Sequence, residues 1–321
     1  METKSNNIKN SNNIWKPEIC VLGPGGMKGY LELGALIFLQ KRGVLDDVKT
    51  YICCSVGAAI GLYLVLGFMM NDIIDEALST NLFKELNSIK FDDIKKNIGL
   101  INNREIKQQL TDRCVEKIGY IPSLKQIYDI TGISFICVSL NLDTDEIEYL
   151  SWITDPDLSV VDATLLSMNI PLLFQKIRYN GHIYIDGAFG NPYPVDYLDD
   201  GKKKILGISI TTKNPSVVDS TDTDNLRYIY KTINASITQL KKRIMNSCSK
   251  SCKHLLLHSP TMDTTGLSFT SQMKLQMIKI GYQTAKKFVS QELYEISDEN
   301  TSEKYIEIIE SSEEIPYDEN S

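Results

Sequence analysis

The sequence predicts an α/β fold with a mainly parallel central sheet and helices on both faces. Short apolar runs typical of buried strands alternate along the chain with longer helical patterns. Two of the early runs end in turn residues that lead directly into a helix. In sheets of this kind, ligands and catalytic groups lie at the carboxyl ends of the strands, so we expect the functional site there.

The first four elements lie close together near the start of the chain. A strand, a helix, a second strand and a second helix are predicted at residues 18–22, 30–41, 50–54 and 58–70. The first strand ends in a glycine-rich segment, residues 23–29, and Gly43 stands where a C-terminal helix cap is expected. This stretch is therefore expected to form the centre of the fold.

The downstream pattern continues the alternation of strands and helices. Strands are predicted at residues 134–140, 146–150, 178–186, 204–211 and 255–257, and helical faces at 73–78, 106–115, 227–245 and 268–293. Asn180 and Gly181 between two alternating runs indicate a two-residue hairpin. Residues 82–97 mix apolar and charged side chains, and they fit either a lid or a loop and helix that pack on the core.

Composition limits the domain organisation and the classes of partner. The 321 residues, 42% of them hydrophobic, suit one catalytic domain at residues 16–293, between a disordered N-terminal tail (1–15) and an acidic, mostly disordered C-terminal tail (294–321). The net charge of −7 argues against a nucleic-acid partner. The longest apolar run, residues 56–70, is shorter than the ~18–20 residues of a membrane span, so contact with lipid is expected to be peripheral.

Ser55 stands at the junction between the second predicted strand and the helix after it. A serine at such a sharp turn is typical of a nucleophile elbow, which exposes the hydroxyl at the start of the helix. Residues two before and two after the serine are expected to face each other, so Cys53 is predicted to crowd Gly57. Taken alone, the pattern Cys53-x-Ser55-x-Gly57 also fits an ordinary turn with a capping serine.

The glycine-rich segment supplies a second part of a catalytic site. Consecutive glycines, here Gly25 and Gly26, can turn backbone N–H groups toward a developing oxyanion, and the helix dipole adds to the effect. A dinucleotide fingerprint is disfavoured because Lys28 stands where its third glycine is required. A phosphate-binding loop is disfavoured because Lys28 is followed by Gly29 and Tyr30 instead of Ser or Thr.

Asp186 ends the second strand of the predicted hairpin, and Gly187 permits a tight bend directly after it. A carboxylate at a strand end can act as the general base for Ser55, although an Asp-Gly pair alone is usually a turn. The chain also has three histidines, and a Ser-His-Asp triad would need one of them as its base. His182 is expected on the hairpin surface, while His254 and His258 stay open as alternatives.

The seven cysteines bear on metal binding and on the cellular compartment. Their odd number and apolar surroundings fit buried thiols in a reducing, intracellular compartment. Cys248 and Cys252 precede two histidines but lack a second cysteine pair, and basic residues such as Lys241 surround them. We therefore expect a helix end with a solvated basic face and no metal.

Together, residues 24–29, 53–57 and 186–188 resemble the patatin-like phospholipase family. The resemblance covers about residues 16–289 and includes residues 157–171, similar to the family's helix before the catalytic hairpin, and 191–194, similar to the stretch that closes the site. It implies a patatin-like variant of the α/β hydrolase architecture. It also implies the site residues, with Ser55 and Asp186 as catalytic dyad, Gly25, Gly26, Lys28 and Gly29 as oxyanion loop, and Cys53, Gly57 and Gly187 at the elbow and turn.

The resemblance implies a lipid acyl hydrolase, phospholipase A2-like or lysophospholipase-like, that forms an acyl-enzyme and needs no cofactor. Its substrate would be a lipid or phospholipid, reached by peripheral membrane contact. Pro24 and Cys53 each replace a glycine of the family pattern. They motivate an alternative from another class, a catalytically silent binding or scaffold protein with the same fold.

Overall fold

The structure, a computed structural model, describes residues 14–79, 103–171, 173–212, 225–259 and 270–294, without the side chains of residues 212 and 225–231. Its strands are β1 (Ile19–Leu22), β2 (Thr50–Cys54), β3 (Ser134–Asn141), β4 (Glu146–Leu150), β5 (Ile177–Tyr179), β6 (His182–Asp186), β7 (Ile205–Thr212) and β8 (Cys252–Ser259). Its helices are α1 (Tyr30–Lys41), α2 (Val56–Val65), α3 (Ile74–Ser79), α4 (Arg104–Ile118), α5 (Leu124–Thr131), α6 (Val160–Ser167), α7 (Asn225–Ser247) and α8 (Ser271–Phe288). The candidate lid and most of both tails lie outside the described residues.

The eight described strands form one sheet, and its centre is parallel. Five parallel strands follow the order β3-β2-β1-β7-β8. The β5–β6 hairpin joins through an antiparallel pairing of β6 with β3, and β4 also pairs antiparallel with β3. The predicted fold class, a mainly parallel sheet with helices around it, is confirmed.

Alternate residues of the central strands are buried on opposite faces of the sheet. Cys20 and Leu22 of β1 belong to the larger apolar cluster, together with residues of α1, α2 and α8. Ile19 and Val21 belong to a smaller cluster, which includes Ile244 of α7. Because both faces are covered, these strands read as continuous apolar runs in the sequence.

Glycines end several elements where the sequence pattern expects a turn. Gly43 follows α1 with φ of +65°, the left-handed conformation of a C-terminal cap. Asn180 and Gly181 have φ of 49° and 85°, which is the two-residue hairpin turn predicted between β5 and β6. Both local predictions are confirmed.

Three boundaries differ from the predictions. α2 ends at Val65 instead of residue 70, because Gly67 adopts φ of +80° and the chain turns into a short 3₁₀ helix, Met70–Ile73. β8 is longer than the predicted 255–257 because it pairs with β7 over its whole length. Trp15, assigned to the N-terminal tail, is buried, and its N–H donates to the Leu293 carbonyl (2.8 Å).

The sheet brings the carboxyl ends of β1, β2 and β6 close together. Within the described part of the chain, no helix is both long enough and apolar enough to cross a bilayer. The sequence-predicted site residues all lie at these three strand ends or within seven residues after them.

Candidate active site

The turn at Ser55 joins β2 to α2 in a strained conformation. Ser55 has φ of 59° and ψ of −132°, in a region that non-glycine residues rarely occupy. Such a strained strand-to-helix turn is the geometry of a nucleophile elbow. The side chain is almost fully buried, so reaction at its hydroxyl requires a substrate that enters the adjoining cavity.

Gly57 allows α2 to start close to the end of β1. A Cβ atom at Gly57 would lie 2.6 Å from the Leu22 carbonyl oxygen and 2.9 Å from that of Gly23. Real Cβ atoms do not come this close to backbone atoms, so a side chain here would push the helix away from the strand. Gly57 therefore fixes the approach of the elbow to the glycine-rich segment, residues 23–29, the glycine loop.

Cys53 is not among the nearest neighbours of Gly57, where crowding was expected: the three atoms nearest to an added Cβ there belong to Leu22 and Gly23. The Cys53 sulfur instead points at Gly61, where an added Cβ would lie 2.3 Å from Sγ. Glycine at position 61, one helical turn after Gly57, makes room for a residue larger than the glycine of the family pattern. The space for the Cys53 sulfur is thus provided by Gly61 of α2.

Ser167 holds the backbone of the elbow. The Ser55 N–H donates to Ser167 Oγ (3.2 Å), and the Ser167 hydroxyl donates to the Val138 carbonyl of β3 (2.6 Å). Ser167 is the last residue of α6, and the sequence motifs do not identify it as a site residue. Only its presence in the family-like segment 157–171 could have indicated it.

Asp186 reaches Ser55 because β6 and β2 share one edge of β3. Val138 pairs with Cys54 of β2 on that edge and with Tyr149 of β4 on the other edge. The next residue of β3, Ser139, pairs with Asp186. β2 and β6 therefore run toward each other along β3, and their carboxyl ends meet.

The bend after Asp186 also depends on close packing against β3. A Cβ atom at Gly187 would lie 2.2 Å from the Val138 carbonyl oxygen. The Ala188 N–H donates to Asp186 Oδ1 (2.8 Å), and the Cys54 thiol lies 3.9 Å from the same oxygen. These contacts fix the carboxyl group at the end of the hairpin.

Burial raises the pKa of Asp186 to about 6, while the Ser55 hydroxyl, the Ala188 N–H and the Cys54 thiol oppose that rise. Asp186 Oδ2 has no hydrogen-bond partner of normal geometry among the described residues. In structures without substrate, catalytic hydrogen bonds are often long and tighten when substrate binds. Asp186 can thus exist in both protonation states near neutral pH.

The glycine loop packs against the start of α2. Gly26 has φ of +54° and begins a short 3₁₀ helix, Gly26–Gly29, that continues directly into α1. A Cβ at Gly29 would lie 3.1 Å from the side chain of Val56, the residue after Ser55. Lys28 is half-buried, and burial lowers the pKa of its ammonium group. The end of the loop is thereby packed against the first residue of α2.

An apolar cavity of about 170 Å³ adjoins both the loop and the elbow. Gly26 and Ser55 line it together with the apolar side chains of Leu33, Ile60, Ile106, Leu110 and Phe174. Glu76 also lines it, and this carboxylate pairs with Arg113 (2.6 Å). The larger groove of about 770 Å³ between α4, α6 and β5 includes neither Ser55 nor Asp186.

The histidines are engaged elsewhere. His182 Nδ1 lies 3.6 Å from Asp143, His254 Nδ1 lies 2.8 Å from the Tyr193 hydroxyl, and His258 Nδ1 lies 2.6 Å from Thr211 Oγ1. The groups that shift the pKa of Asp186 include none of them. This arrangement favours a dyad over a triad.

The cysteine pair lies beside a different partner than the sequence suggested. Potential ligand atoms of Cys248, Cys252 and Asp199 lie within 4.8 Å of one another. Asp199 already accepts hydrogen bonds from the Ser249 N–H (2.7 Å) and hydroxyl (2.6 Å), which close the turn after α7. These contacts give Asp199 a structural role at that turn.

Comparisons with known proteins give the following similarities. The sequence model of the family described as Patatin-like phospholipase matches residues 20–199. The chain is 28% identical over 233 residues to "Probable lipid hydrolase 463L" of Invertebrate iridescent virus 6, covering 68% of this chain and 77% of that protein. It is 22% identical over 196 residues to "Uncharacterized protein R571" of Acanthamoeba polyphaga mimivirus, covering 60% and 65%.

Among solved structures, VipD from Legionella pneumophila has a similar fold. The TM-score is 0.55 at 15% sequence identity, over 85% of this chain and 67% of that one.

The packing of Cys53 against Gly61 predicts a compensating pair of substitutions. Gly61→Ala alone should destabilise the protein by about 1–3 kcal/mol, because its methyl group overlaps Sγ. Cys53→Gly combined with Gly61→Ala should recover most of that loss, since the sulfur is gone. Denaturant unfolding of the four proteins of this cycle measures the coupling. Strictly additive effects would contradict the assigned contact.

The raised pKa of Asp186 predicts a pH-dependent gain in stability for Asp186→Asn. The folded protein holds the proton up to about pH 6, and the unfolded chain releases it near the ordinary value of 3.8. Stability is therefore lost as the pH rises through this window, by on the order of 1–3 kcal/mol. Asp186→Asn should be more stable than the parent above pH 7 and equal to it near pH 4. Thermal unfolding at both pH values tests this, and a loss of stability at pH 7 would contradict it.

Proposed function

The chain belongs to the patatin-like phospholipase family, and from that membership we propose that it is a lipid acyl hydrolase with Ser55 as nucleophile and Asp186 as general base. The observation that carries the proposal is the meeting of the strained Ser55 turn with a buried, sparsely partnered carboxyl group at one edge of β3. Both features cost stability, and both suit acyl transfer.

In the proposed acylation step, Asp186 accepts the proton of Ser55 as the Ser55 oxygen attacks the ester carbonyl. The carbonyl oxygen gains negative charge, and N–H groups of the Gly25–Gly26 segment and of the elbow stabilise it. The C–O bond to the alcohol then breaks, and the alcohol leaves with the proton from Asp186. This leaves an acyl-Ser55 ester.

In the proposed deacylation step, water replaces the alcohol. Asp186 accepts a proton from the water molecule as the water oxygen attacks the acyl-Ser55 carbonyl. Asp186 then returns this proton to the Ser55 oxygen as the fatty acid leaves. The apolar cavity beside Ser55 suits the hydrocarbon chain, because Ile60, Leu110 and Phe174 offer no polar group to it.

The proposed substrate class is a fatty-acyl ester of a lipid or phospholipid, in keeping with a relative named as a probable lipid hydrolase. Such substrates reside in membranes, so we include peripheral contact with a lipid surface in the proposal. A phospholipase A2-like or lysophospholipase-like specificity is what family membership suggests. A panel of phospholipids and lysophospholipids with defined acyl positions would distinguish these two specificities.

The alternative, a silent scaffold, was motivated by Pro24 and Cys53. The structure weakens that motive for Cys53, because the absence of a side chain at Gly61 leaves room for the Cys53 sulfur. A scaffold would also gain from losing the strain at Ser55 and the buried carboxyl, yet both are present. Turnover of any acyl ester by the purified protein would exclude the scaffold.

The dyad predicts non-additive losses of activity. Ser55→Ala and Asp186→Asn should each abolish ester hydrolysis while the protein stays folded, and the double variant should be no worse than either one. His182→Ala, His254→Ala and His258→Ala should each retain most activity. Initial rates on one acyl ester, with circular dichroism as the folding control, test this. A histidine variant as inactive as Ser55→Ala would establish a triad.

The pKa of Asp186 predicts the pH profile of hydrolysis. Only the ionised carboxylate accepts a proton, so kcat/KM should rise about tenfold per pH unit well below pH 6 and level off above about pH 7. Rates measured between pH 4.5 and 7.5, on protein shown to remain folded throughout, give the midpoint. A rate that fell with rising pH in this range would contradict Asp186 as the base.

A further inference from the structure

Two ionisable side chains, one acidic and one basic, lie near the glycine loop and have no part in the steps proposed above. Glu32 of α1 is fully buried, and neither of its carboxyl oxygens has a hydrogen-bond partner among the described residues. Lys241 of α7 approaches the loop from another element. The sequence suggested a solvated basic face for Lys241, which is wrong, because its ammonium group is turned inward.

The ammonium group of Lys241 joins two strand ends. Its Nζ donates to the carbonyl oxygen of Pro24 (3.3 Å) and to that of Ile210 (3.3 Å). Pro24 directly precedes Gly25, and Ile210 lies near the end of β7. Hydrogen bonds from a charged donor are about twice as strong as neutral ones, so this bridge restrains the start of the loop.

Ile210 also supports the loop through its side chain. A Cβ atom at Gly25 would lie 2.3 Å from Ile210 Cδ1, so the glycine backbone rests directly on this residue. The loop is thus held from two sides, by packing on the Ile210 side chain and by the ammonium bridge to the Ile210 carbonyl. Losing the bridge would leave only the packing.

Glu32 and Lys241 interact electrostatically, and each shifts the pKa of the other. Burial raises the pKa of Glu32, and Lys241 opposes that rise. Burial lowers the pKa of Lys241, while Glu32 and Cys54 oppose the decrease and Lys28 adds to it. Because the pKa of Glu32 rises to about 8, its carboxyl group is mainly protonated at pH 7. Glutamine is therefore its closest neutral replacement.

We propose that Lys241 is a positioning residue that holds the glycine loop in the geometry required to bind an oxyanion. This inference rests on the proposed acyl-ester hydrolysis. Lys241 acts through the backbone of Pro24 and Gly25 and does not touch the substrate. Because displacements near 1 Å can cost on the order of a hundredfold in rate, anchoring this segment matters for catalysis.

The test replaces the ammonium group while keeping the length of the side chain. Lys241→Met should accelerate amide hydrogen exchange in residues 23–29 at least tenfold and lower kcat by roughly 10- to 100-fold, with KM changed less than about threefold. Lys242→Met, at the exposed neighbouring position of α7, is the matched control and should change neither quantity. Glu32→Gln should leave both within about twofold at pH 7, since the bridge to Pro24 and Ile210 persists.

The inference would be overturned if Lys241→Met exchanged the amides of residues 23–29 at the same rate as the unsubstituted protein, or if its kcat were unchanged. Should Lys241→Met fail to fold, Glu32→Gln/Lys241→Met carries the same measurement, because it removes both ionisable groups of the pair. A parent protein that hydrolyses no acyl ester would overturn the proposed function. The exchange measurement would still decide whether Lys241 anchors the loop, so the two failures are distinguishable.

Discussion

The candidate site depends on one constraint, the pairing of β2 and β6 with the same edge of β3. Val138 pairs with Cys54, and its neighbour Ser139 pairs with Asp186. Adjacent residues of a strand are about 3.3 Å apart, so this register alone brings the end of β6 to the Ser55 turn. A register shift of one residue would turn the Asp186 side chain to the other face of the sheet.

Two features at this edge of β3 destabilise the folded protein, the strained backbone of Ser55 and the buried carboxyl group of Asp186. Neighbouring contacts limit the effect of both. The unusual backbone of Ser55 is held by the Ser167 hydroxyl, which also binds the Val138 carbonyl. The buried Asp186 carboxyl has one backbone donor, from Ala188, so its ionisation is opposed by burial and only partly compensated. Strain and burial of this kind persist at functional sites because the packed core offsets them.

Sequence patterns predicted what is local, and packing between distant elements decided the rest. The hairpin at Asn180, the helix cap at Gly43 and the position of Ser55 between β2 and α2 follow from residues a few positions apart. Ser167 and Lys241 act on residues more than a hundred positions away in the chain, and no local pattern marks them. Glu32 lies among leucines in α1, yet its complete burial depends on how α1 packs against the sheet and α8. The extent of β8 likewise depends on β7.

Covalent labelling with a serine-directed fluorophosphonate, followed by peptide mass spectrometry, tests the central claim most directly. The account predicts a single modification, at Ser55, in the folded protein, and its loss in the Asp186→Asn variant, whose carboxyl group can no longer accept the serine proton. Labelling of another residue would contradict the assignment of Ser55 as nucleophile. Equally fast labelling of the Asp186→Asn variant would contradict the role of Asp186.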